Sequence, residues 1–228
     1  MDSLTLRAIA HIRTDFPAKF GIPRQSGLVP QLEARVVFEP EFRDPDAVRG
    51  LDGFSHLWLL WVFSASRRDA WSPTVRPPRL RGNRRMGVFA TRSPNRPNPI
   101  GLSSVHLERV DLDGGPGPVL WVRGADLMDG TPILDIKPYV AGDIHADATL
   151  GFTAERAGER LDVADPTGLL GNLGGERAEA LRGVLAQDPR PQYHHDPERV
   201  YGLSFAGWDW KFTVANGVLT LVDAVPLG

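Results

Sequence analysis

The segment GFSHLWLLWVF, residues 53–63, is a near-continuous apolar run, as expected of a β-strand buried on both faces. Glycine and proline punctuate the chain around it, and short β-branched or alternating apolar segments recur between them. These segments are LTLRAIAHI (4–12), EARVVFE (33–39), MGVFAT (86–91), SVHLERV (104–110), VLWVRGA (119–125) and ILDIKPY (133–139). Seven short strands predict an antiparallel sandwich or barrel that ends near residue 147, with a short helix possible over 42–51.

The pattern changes after Ala148. An amphipathic helix is predicted from about Glu176 to Ala186, with Pro189 stopping it. Two apolar segments follow, joined by an Asn216-Gly217 turn that is typical of a β-hairpin. We therefore predict a mainly β protein with one domain over residues 1–147 and a small α+β C-terminal domain over 148–228.

The composition is that of an ordinary globular protein. The 228 residues are 42% hydrophobic and 24% charged, with a formal net charge of −2. No cysteine is present, which excludes disulfides, thiolate metal sites and cysteine nucleophiles. No signal-peptide pattern or membrane-length apolar segment is seen, so a cytoplasmic location is expected.

Positive charge is concentrated in one part of the chain. Residues 67–96 contain nine arginines and one acidic residue, Asp69, together with Trp71. This mixture suits phosphate neutralisation combined with stacking on bases. Two other interpretations stay open: a coding preference for arginine over lysine, and a solvated loop whose arginines pair with acidic residues elsewhere.

The stretch ATRSPNRPNPIGLSS, residues 90–104, is stiff and polar. Pro94, Pro97 and Pro99 each fix φ and restrict the preceding residue, so the loop is predicted to hold its side chains in fixed directions. A preorganised loop loses little conformational entropy on binding, which makes it a candidate for a ligand site.

Several common sites are not indicated. There is no Gly-x-Gly-x-x-Gly after a strand and no Walker pattern, and the histidines, including His194-His195, lack metal-ligand spacing. Ser103, His56 and Asp126 could form a triad, but no nucleophile elbow singles out the serine. Asp126 and Asp129 could act as paired carboxylates, although Asp-Gly is also ordinary turn chemistry.

Four longer motifs carry a family likeness. PRQSGLV (23–29), GFSHLWLLWVF (53–63), WSPTVRPPRLRGNRRMGVFATRSPNRPNPIGLS (71–103) and DLMDGTPILDIKPY (126–139) occur in an order and spacing that resemble the TsaA-like, TrmO-type tRNA methyltransferases. LAQDPRPQY (185–193) resembles the C-terminal domain of longer bacterial members. The resemblance implies an N-terminal β-barrel that binds S-adenosyl-L-methionine without a Rossmann fold, and a homodimer with cofactor sites near its interface.

The resemblance also implies a reaction. The expected activity is methyl transfer to the exocyclic nitrogen of threonylcarbamoyladenosine, the modified base beside the anticodon in certain tRNAs. The implied cofactor contacts are Pro23, Arg24, Gln25, Ser64, Ala65, Arg92, Leu102, Arg123, Gly124, Ala125 and Asp126. Two other functions are kept open: a non-catalytic RNA-binding β-barrel, and a methyltransferase that acts on another RNA base or a small molecule.

The chemistry requires a proton acceptor and a grip on RNA. The acceptor nitrogen must lose a proton, and Asp126, Asp129 or Tyr139 could accept it. Arginines are poor bases, so they are expected to bind carboxylates or phosphates. The predicted RNA contacts are Arg76, Arg79, Arg84, Arg85, Arg96 and Asn98.

Overall fold

The computed structural model describes residues 4–66, 71–77, 84–156, 158–191 and 196–228. Within these ranges it contains short strands and one α-helix. The strands are β1 (Ala10–Arg13), β2 (Glu33–Phe38), β3 (His56–Val62), β4 (Thr74–Val75), β5 (Met86–Gly87), β6 (Ile100–Asp111), β7 (Val119–Arg123), β8 (Pro132–Pro138), β9 (Asp162–Ala164), β10 (Tyr201–Phe205), β11 (Trp208–Ala215) and β12 (Val218–Pro226), and the helix is α1 (Gly175–Ala186).

Six strands close into a barrel in the order β1-β2-β7-β6-β3-β8, with every neighbouring pair antiparallel. This confirms the predicted β-barrel and removes the sandwich alternative. A barrel of so few strands has an interior just wide enough for side chains, so alternate residues must fill it. Leu57 and Leu59 of β3 are fully buried there, together with Val36 of β2 and Leu120 of β7.

Three local predictions were wrong. The run at 53–63 is not buried on both faces: side chains of β3 alternate between buried and partly exposed, because one face of a barrel strand always points outward. The strand predicted at 86–91 shrinks to β5, which pairs only with β4, and a 3-10 helix follows over Val88–Ala90. The helix expected at 42–51 is replaced by the 3-10 turns Pro40–Phe42, Pro45–Val48 and Leu51–Gly53, since Pro45 interrupts a continuous helix.

The C-terminal part has the predicted α+β character. Strands β10, β11 and β12 form an antiparallel meander, and β9 pairs parallel to β12. Asn216 and Gly217 both have positive φ, 51° and 80°, which matches the two-residue hairpin turn expected from the sequence. Helix α1 lies where it was predicted, with Leu181 and Leu185 fully buried.

The loop between β1 and β2 joins the two parts. Phe16, Val29 and Leu32 of this loop belong to the C-terminal hydrophobic cluster and not to the barrel core. A Cβ on Gly21, whose φ is +91°, would lie 2.0 Å from Leu203 Cδ1, so this approach requires glycine. A domain boundary near residue 147 remains our proposal. No helix in the described part of the chain is long and apolar enough to cross a membrane.

The antiparallel order brings specific loops to one end of the barrel. The β1–β2 loop, the end of β3, the start of β6 and the β7–β8 turn all lie at this end. Lys19 Nζ donates to the Ala65 carbonyl at 2.5 Å, tying the β1–β2 loop to the segment that follows β3. We call this the loop end of the barrel.

Gly101 at the start of β6 gives a test of this packing. An added Cβ would lie 2.2 Å from Trp61 Cε2, inside the indole ring system. Gly101→Ala is therefore expected to reduce the free energy of unfolding by about 1–3 kcal/mol, measured by urea denaturation. Gly142→Ala is the control, since a Cβ there meets no atom within 4 Å. Equal stability of the two variants would contradict the packing described.

Candidate active site at the loop end of the barrel

A cavity of about 380 Å³ opens at the loop end. Its walls come from the β1–β2 loop, the end of β3, the loop over residues 91–99 that we call the proline-rich loop, the start of β6 and the β7–β8 turn. The lining residues are Lys19, Ile22, Pro23, Arg24, Trp61, Val62, Phe63, Ser64, Ala65, Arg92, Pro94, Arg96, Ile100, Gly101, Leu102, Asp126, Leu127, Met128 and Thr131. We call it the first cavity; its volume is in the range of small-molecule sites.

A chain of polar side chains lies at the inner wall of the first cavity. Trp61 Nε1 donates to Ser103 Oγ at 2.9 Å, and Ser103 Oγ donates to Asp126 Oδ1 at 2.5 Å. Ser103 is fully buried, and Asp126 lies at the boundary between this core and the cavity. The arrangement directs the Asp126 carboxylate, because Trp61 holds the Ser103 hydroxyl and the single proton of that hydroxyl is donated to Asp126.

Burial raises the pKa of Asp126 above its ordinary value. The hydrogen bond from Ser103 and the positive charge of Arg92 both act in the opposite direction and moderate the rise. A carboxylate with a raised pKa is a better proton acceptor than an ordinary aspartate near neutral pH. Perturbed carboxyls in cavities are candidates for functional groups for this reason.

The proline-rich loop is stabilised by side-chain hydrogen bonds in addition to the backbone restrictions that its prolines impose. Arg96 donates to the Ser93 carbonyl at 2.9 Å, to the Val88 carbonyl at 3.2 Å and to the Thr91 carbonyl at 2.5 Å. Ser93 Oγ accepts from the Asn95 amide at 3.2 Å. The stiff loop expected from the sequence therefore has a guanidinium at its centre that binds its own backbone.

A second cavity of about 850 Å³ adjoins the first. It lies between the proline-rich loop and the β4–β5 hairpin. The two cavities share Arg24, Arg92 and Pro94 in their linings. We call it the second cavity.

Most of the predicted cofactor contacts come together in the structure. Seven line the first cavity: Pro23, Arg24, Ser64, Ala65, Arg92, Leu102 and Asp126. Gln25 lines the second cavity instead. The motifs therefore converge on one end of the barrel from four separate parts of the chain.

Arg123, Gly124 and Ala125 lie elsewhere. The Arg123 guanidinium donates to Glu108 at 3.0 Å and to Glu176 at 2.9 Å, and these hydrogen bonds raise its pKa. It links the barrel to helix α1 and does not line the first cavity. Gly124 exchanges backbone hydrogen bonds with the β1–β2 loop, and Ala125 is in the barrel core. These three residues precede Asp126 in the chain and do not line the first cavity.

Two of the three candidate proton acceptors lie outside the first cavity. Asp129 Oδ1 accepts from the Thr14 amide at 3.0 Å, and its Oδ2 lies 3.5 Å from Arg13 Nη1. Tyr139 packs on Trp58 and His56 just beyond the end of β8, at the opposite end of the barrel. Asp126 is the one of the three that lines the first cavity.

The predicted RNA contacts separate into groups. Arg76, Arg84 and Asn98 are exposed, and Arg85 is exposed while donating to Thr74 Oγ1 at 2.9 Å. Arg96 directs Nε and Nη2 into its own loop and also lines the first cavity. Arg79, together with His194 and His195, lies outside the described residues.

The hydrogen-bonded set Trp61, Ser103 and Asp126 was not identified from the sequence. Ser103 was considered only as part of a triad with His56 and Asp126, and His56 instead packs edge-on against His106. The missed signal was the two-residue alternation of β6. A serine at an inward position between Gly101 and Val105 requires a polar partner inside the barrel.

The barrel is closed and antiparallel, and its loop end has a cavity of small-molecule size with a partly buried carboxylate beside arginines. The chain matches the model of the tRNA-methyltransferase O N-terminal domain over residues 11–143 and that of the TrmO C-terminal domain over residues 172–226. The chain belongs to the tRNA-methyltransferase O family.

Similar proteins cover nearly the whole chain. The tRNA (adenine(37)-N6)-methyltransferase of Escherichia coli K12 is 41% identical over 94% of this chain and 93% of its own length. A Pseudomonas aeruginosa protein named putative S-adenosylmethionine-dependent methyltransferase RcsF is 43% identical over 88% and 87%. A crystal structure of TrmO from P. aeruginosa superposes with a TM-score of 0.79 at 34% identity, covering 99% of this chain and 98% of that one.

Removal of the Ser103 hydroxyl should change the titration of Asp126. The hydrogen bond favours the charged carboxylate, so Ser103→Ala is expected to raise the pKa of Asp126 further, as measured by carboxyl ¹³C NMR. The pKa of Asp126 is higher in the folded than in the unfolded protein, so its contribution to the free energy of unfolding is fully present below the unfolded-state pKa. That contribution is lost as the pH rises through the folded-state pKa. Ser103→Ala should move this loss to higher pH. Ser104→Ala, on the same strand, is the control; an unchanged Asp126 titration in Ser103→Ala would contradict this role.

Proposed function

We propose that this chain is an S-adenosyl-L-methionine-dependent tRNA methyltransferase that methylates the exocyclic nitrogen of threonylcarbamoyladenosine next to the anticodon. Its membership of the family and its full-length similarity to named tRNA (adenine(37)-N6)-methyltransferases support the activity. The observation that carries the assignment of the site is the first cavity, where seven motif residues meet beside the Asp126 carboxylate.

The first cavity suits the proposed cofactor. Its aromatic and aliphatic walls, including Trp61, Phe63 and Leu102, provide apolar surface for an adenine ring. Arg92 would hold the methionyl carboxylate, since guanidinium binds carboxylates with two parallel hydrogen bonds. When bound, S-adenosyl-L-methionine supplies a methyl group that its sulfonium has already activated. The protein therefore has to orient two reactants and exclude water, with little covalent machinery of its own.

Asp126 is the proton acceptor in this proposal. The transfer breaks an S–CH₃ bond, forms an N–CH₃ bond and requires the acceptor nitrogen to lose its proton. Asp126 accepts that proton, directly or through one water, because it is the candidate carboxylate in the first cavity and its pKa is raised. Ser103, itself held by Trp61, donates to Oδ1 and so holds the carboxylate in one direction.

The substrate accounts for the local arginine concentration. Exposed arginines of the 67–96 segment, such as Arg84, bind the phosphates of the anticodon stem-loop, although the chain as a whole has a net charge of −2. We also propose that the protein acts as a homodimer in the cytoplasm, where its tRNA substrate is found.

A transfer assay tests the function. The protein, given labelled S-adenosyl-L-methionine and threonylcarbamoylated tRNA, is expected to move one methyl group to the modified base, located by mass spectrometry of the nucleosides. Asp126→Asn should reduce kcat by about 10²–10⁴-fold, because asparagine cannot accept the proton. Asp113→Asn, on an exposed turn, is the control.

Three results would overturn parts of this proposal. tRNA binding without cofactor binding would indicate a non-catalytic RNA-binding barrel. Cofactor binding with transfer only to another acceptor would indicate a methyltransferase of different substrate. Wild-type kcat in Asp126→Asn would remove Asp126 from the chemistry.

Replacement of Arg92 tests the cofactor site separately. Arg92→Ala is expected to weaken S-adenosyl-L-methionine binding about 10-fold or more in calorimetry, since a charge-assisted pair contributes about 1.5–3 kcal/mol. Arg160→Ala, an exposed arginine of the C-terminal domain, is the matched control. Equal cofactor affinity of Arg92→Ala and the wild type would show that Arg92 does not hold the carboxylate.

A further inference from the structure

The second cavity lies beside the proposed catalytic cavity. The two are continuous at Arg92 and Pro94, which line both. The backbone of the proline-rich loop is tied to the far wall, because the Ser72 amide donates to the Asn95 carbonyl at 3.3 Å. A molecule in the second cavity would therefore meet a molecule in the first at this shared edge.

Two exposed aromatic rings stand at the second cavity. Phe89, which lines it, is 75% exposed, and Trp71 is 50% exposed. Their ring centroids are 6.4 Å apart and their planes differ by 24°. The β4–β5 ladder holds the pair in place, since Thr74 pairs with Gly87 and the Val88 amide donates to the Pro73 carbonyl at 3.0 Å. Near-parallel rings left open to solvent present flat apolar faces, on which nucleobases stack.

The charged groups of the second cavity are of one sign. Its lining contains Arg24, Arg76 and Arg92 and, among the described residues, no aspartate or glutamate. Arg76 is exposed and lines the second cavity but not the first. Asn95 and Ser93 add hydrogen-bonding groups along the proline-rich loop. This combination suits a planar base that carries an anionic arm.

We propose that the second cavity is the acceptor site, and this rests on the proposed function. The purine stacks on the exposed ring of Phe89, which lines this cavity and is supported by Trp71, and the carboxylate of its threonylcarbamoyl arm binds Arg76. The nitrogen between purine and arm then lies toward the edge shared with the first cavity, where Arg92 and Pro94 stand. Recognition of the carboxylate by a guanidinium makes Arg76 a specificity-determining residue, because an unmodified adenosine lacks that charge.

Phe89→Ala tests the stacking surface. The variant is expected to fold normally, because Phe89 is largely exposed, and to lower kcat/KM for threonylcarbamoylated tRNA about 10–100-fold. Its Kd for S-adenosyl-L-methionine should stay within about twofold of wild type, and Phe89→Tyr should restore most activity because it keeps the aromatic face. Leu112→Ala is the control, since Leu112 is 54% exposed in the turn after β6, at the opposite end of the barrel.

Arg76→Gln tests recognition of the arm. Binding is measured for two anticodon stem-loops, one with threonylcarbamoyladenosine and one with adenosine. The wild type should prefer the modified RNA, and Arg76→Gln should reduce that preference about 10-fold while affinity for the unmodified RNA changes little. Arg160→Gln is the control for loss of a positive charge.

The outcomes separate this inference from the function itself. An equal loss of affinity for both RNAs in Arg76→Gln would mean that Arg76 binds phosphate. A wild-type kcat/KM in Phe89→Ala would mean that Phe89 does not stack on the substrate. Either result overturns the proposed acceptor site but leaves the proposed function of the wild-type enzyme standing. A wild-type protein that transfers no methyl group to either RNA overturns the proposed function, and the acceptor site with it.

Discussion

Closure of a six-stranded barrel leaves room inside for side chains only, and this constraint decides how the site is built. Each strand must send alternate residues inward, so a polar residue at an inward position needs a partner within the barrel. Ser103 occupies such a position on β6 and meets Trp61 on β3 and Asp126 beyond β7. Gly101 leaves space for the indole that reaches Ser103. The carboxylate at the cavity is therefore oriented by the same alternation that fills the core.

The proline-rich loop shows where local sequence rules succeed and where they stop. Its three prolines restrict the backbone, and this much could be predicted from φ and from the residue before each proline. The direction of Arg96 could not, because a long side chain takes its direction from carbonyls that folding brings near it. An arginine in a basic segment looks the same in sequence whether it binds its own loop or a phosphate.

The fold was largely predictable because its signals are local or periodic. Alternation identified most of the barrel strands, and Asn216-Gly217 identified the C-terminal hairpin. The strand predicted over 86–91 and the burial of both faces of β3 were wrong. Apolar content alone does not show whether one face or both faces of a strand pack against other elements. Within the site, motif likeness brought seven cofactor candidates to one cavity but could not separate Asp126 from Asp129 and Tyr139. The choice among these three candidate proton acceptors depends on the end of the barrel, and the side of a turn, at which each side chain lies.

Arg92 couples the two cavities electrostatically. Its positive charge lowers the pKa of Asp126, against the larger effect of burial, which raises it. An anion bound to Arg92 would offset that charge and weaken the effect by which Arg92 lowers the pKa of Asp126. The positive sulfonium of the proposed cofactor acts in the opposite direction, so the basicity of Asp126 in the filled cavity is set by the sum of the two charges. Because Arg92 lines both cavities, an anionic group in either one could offset its charge.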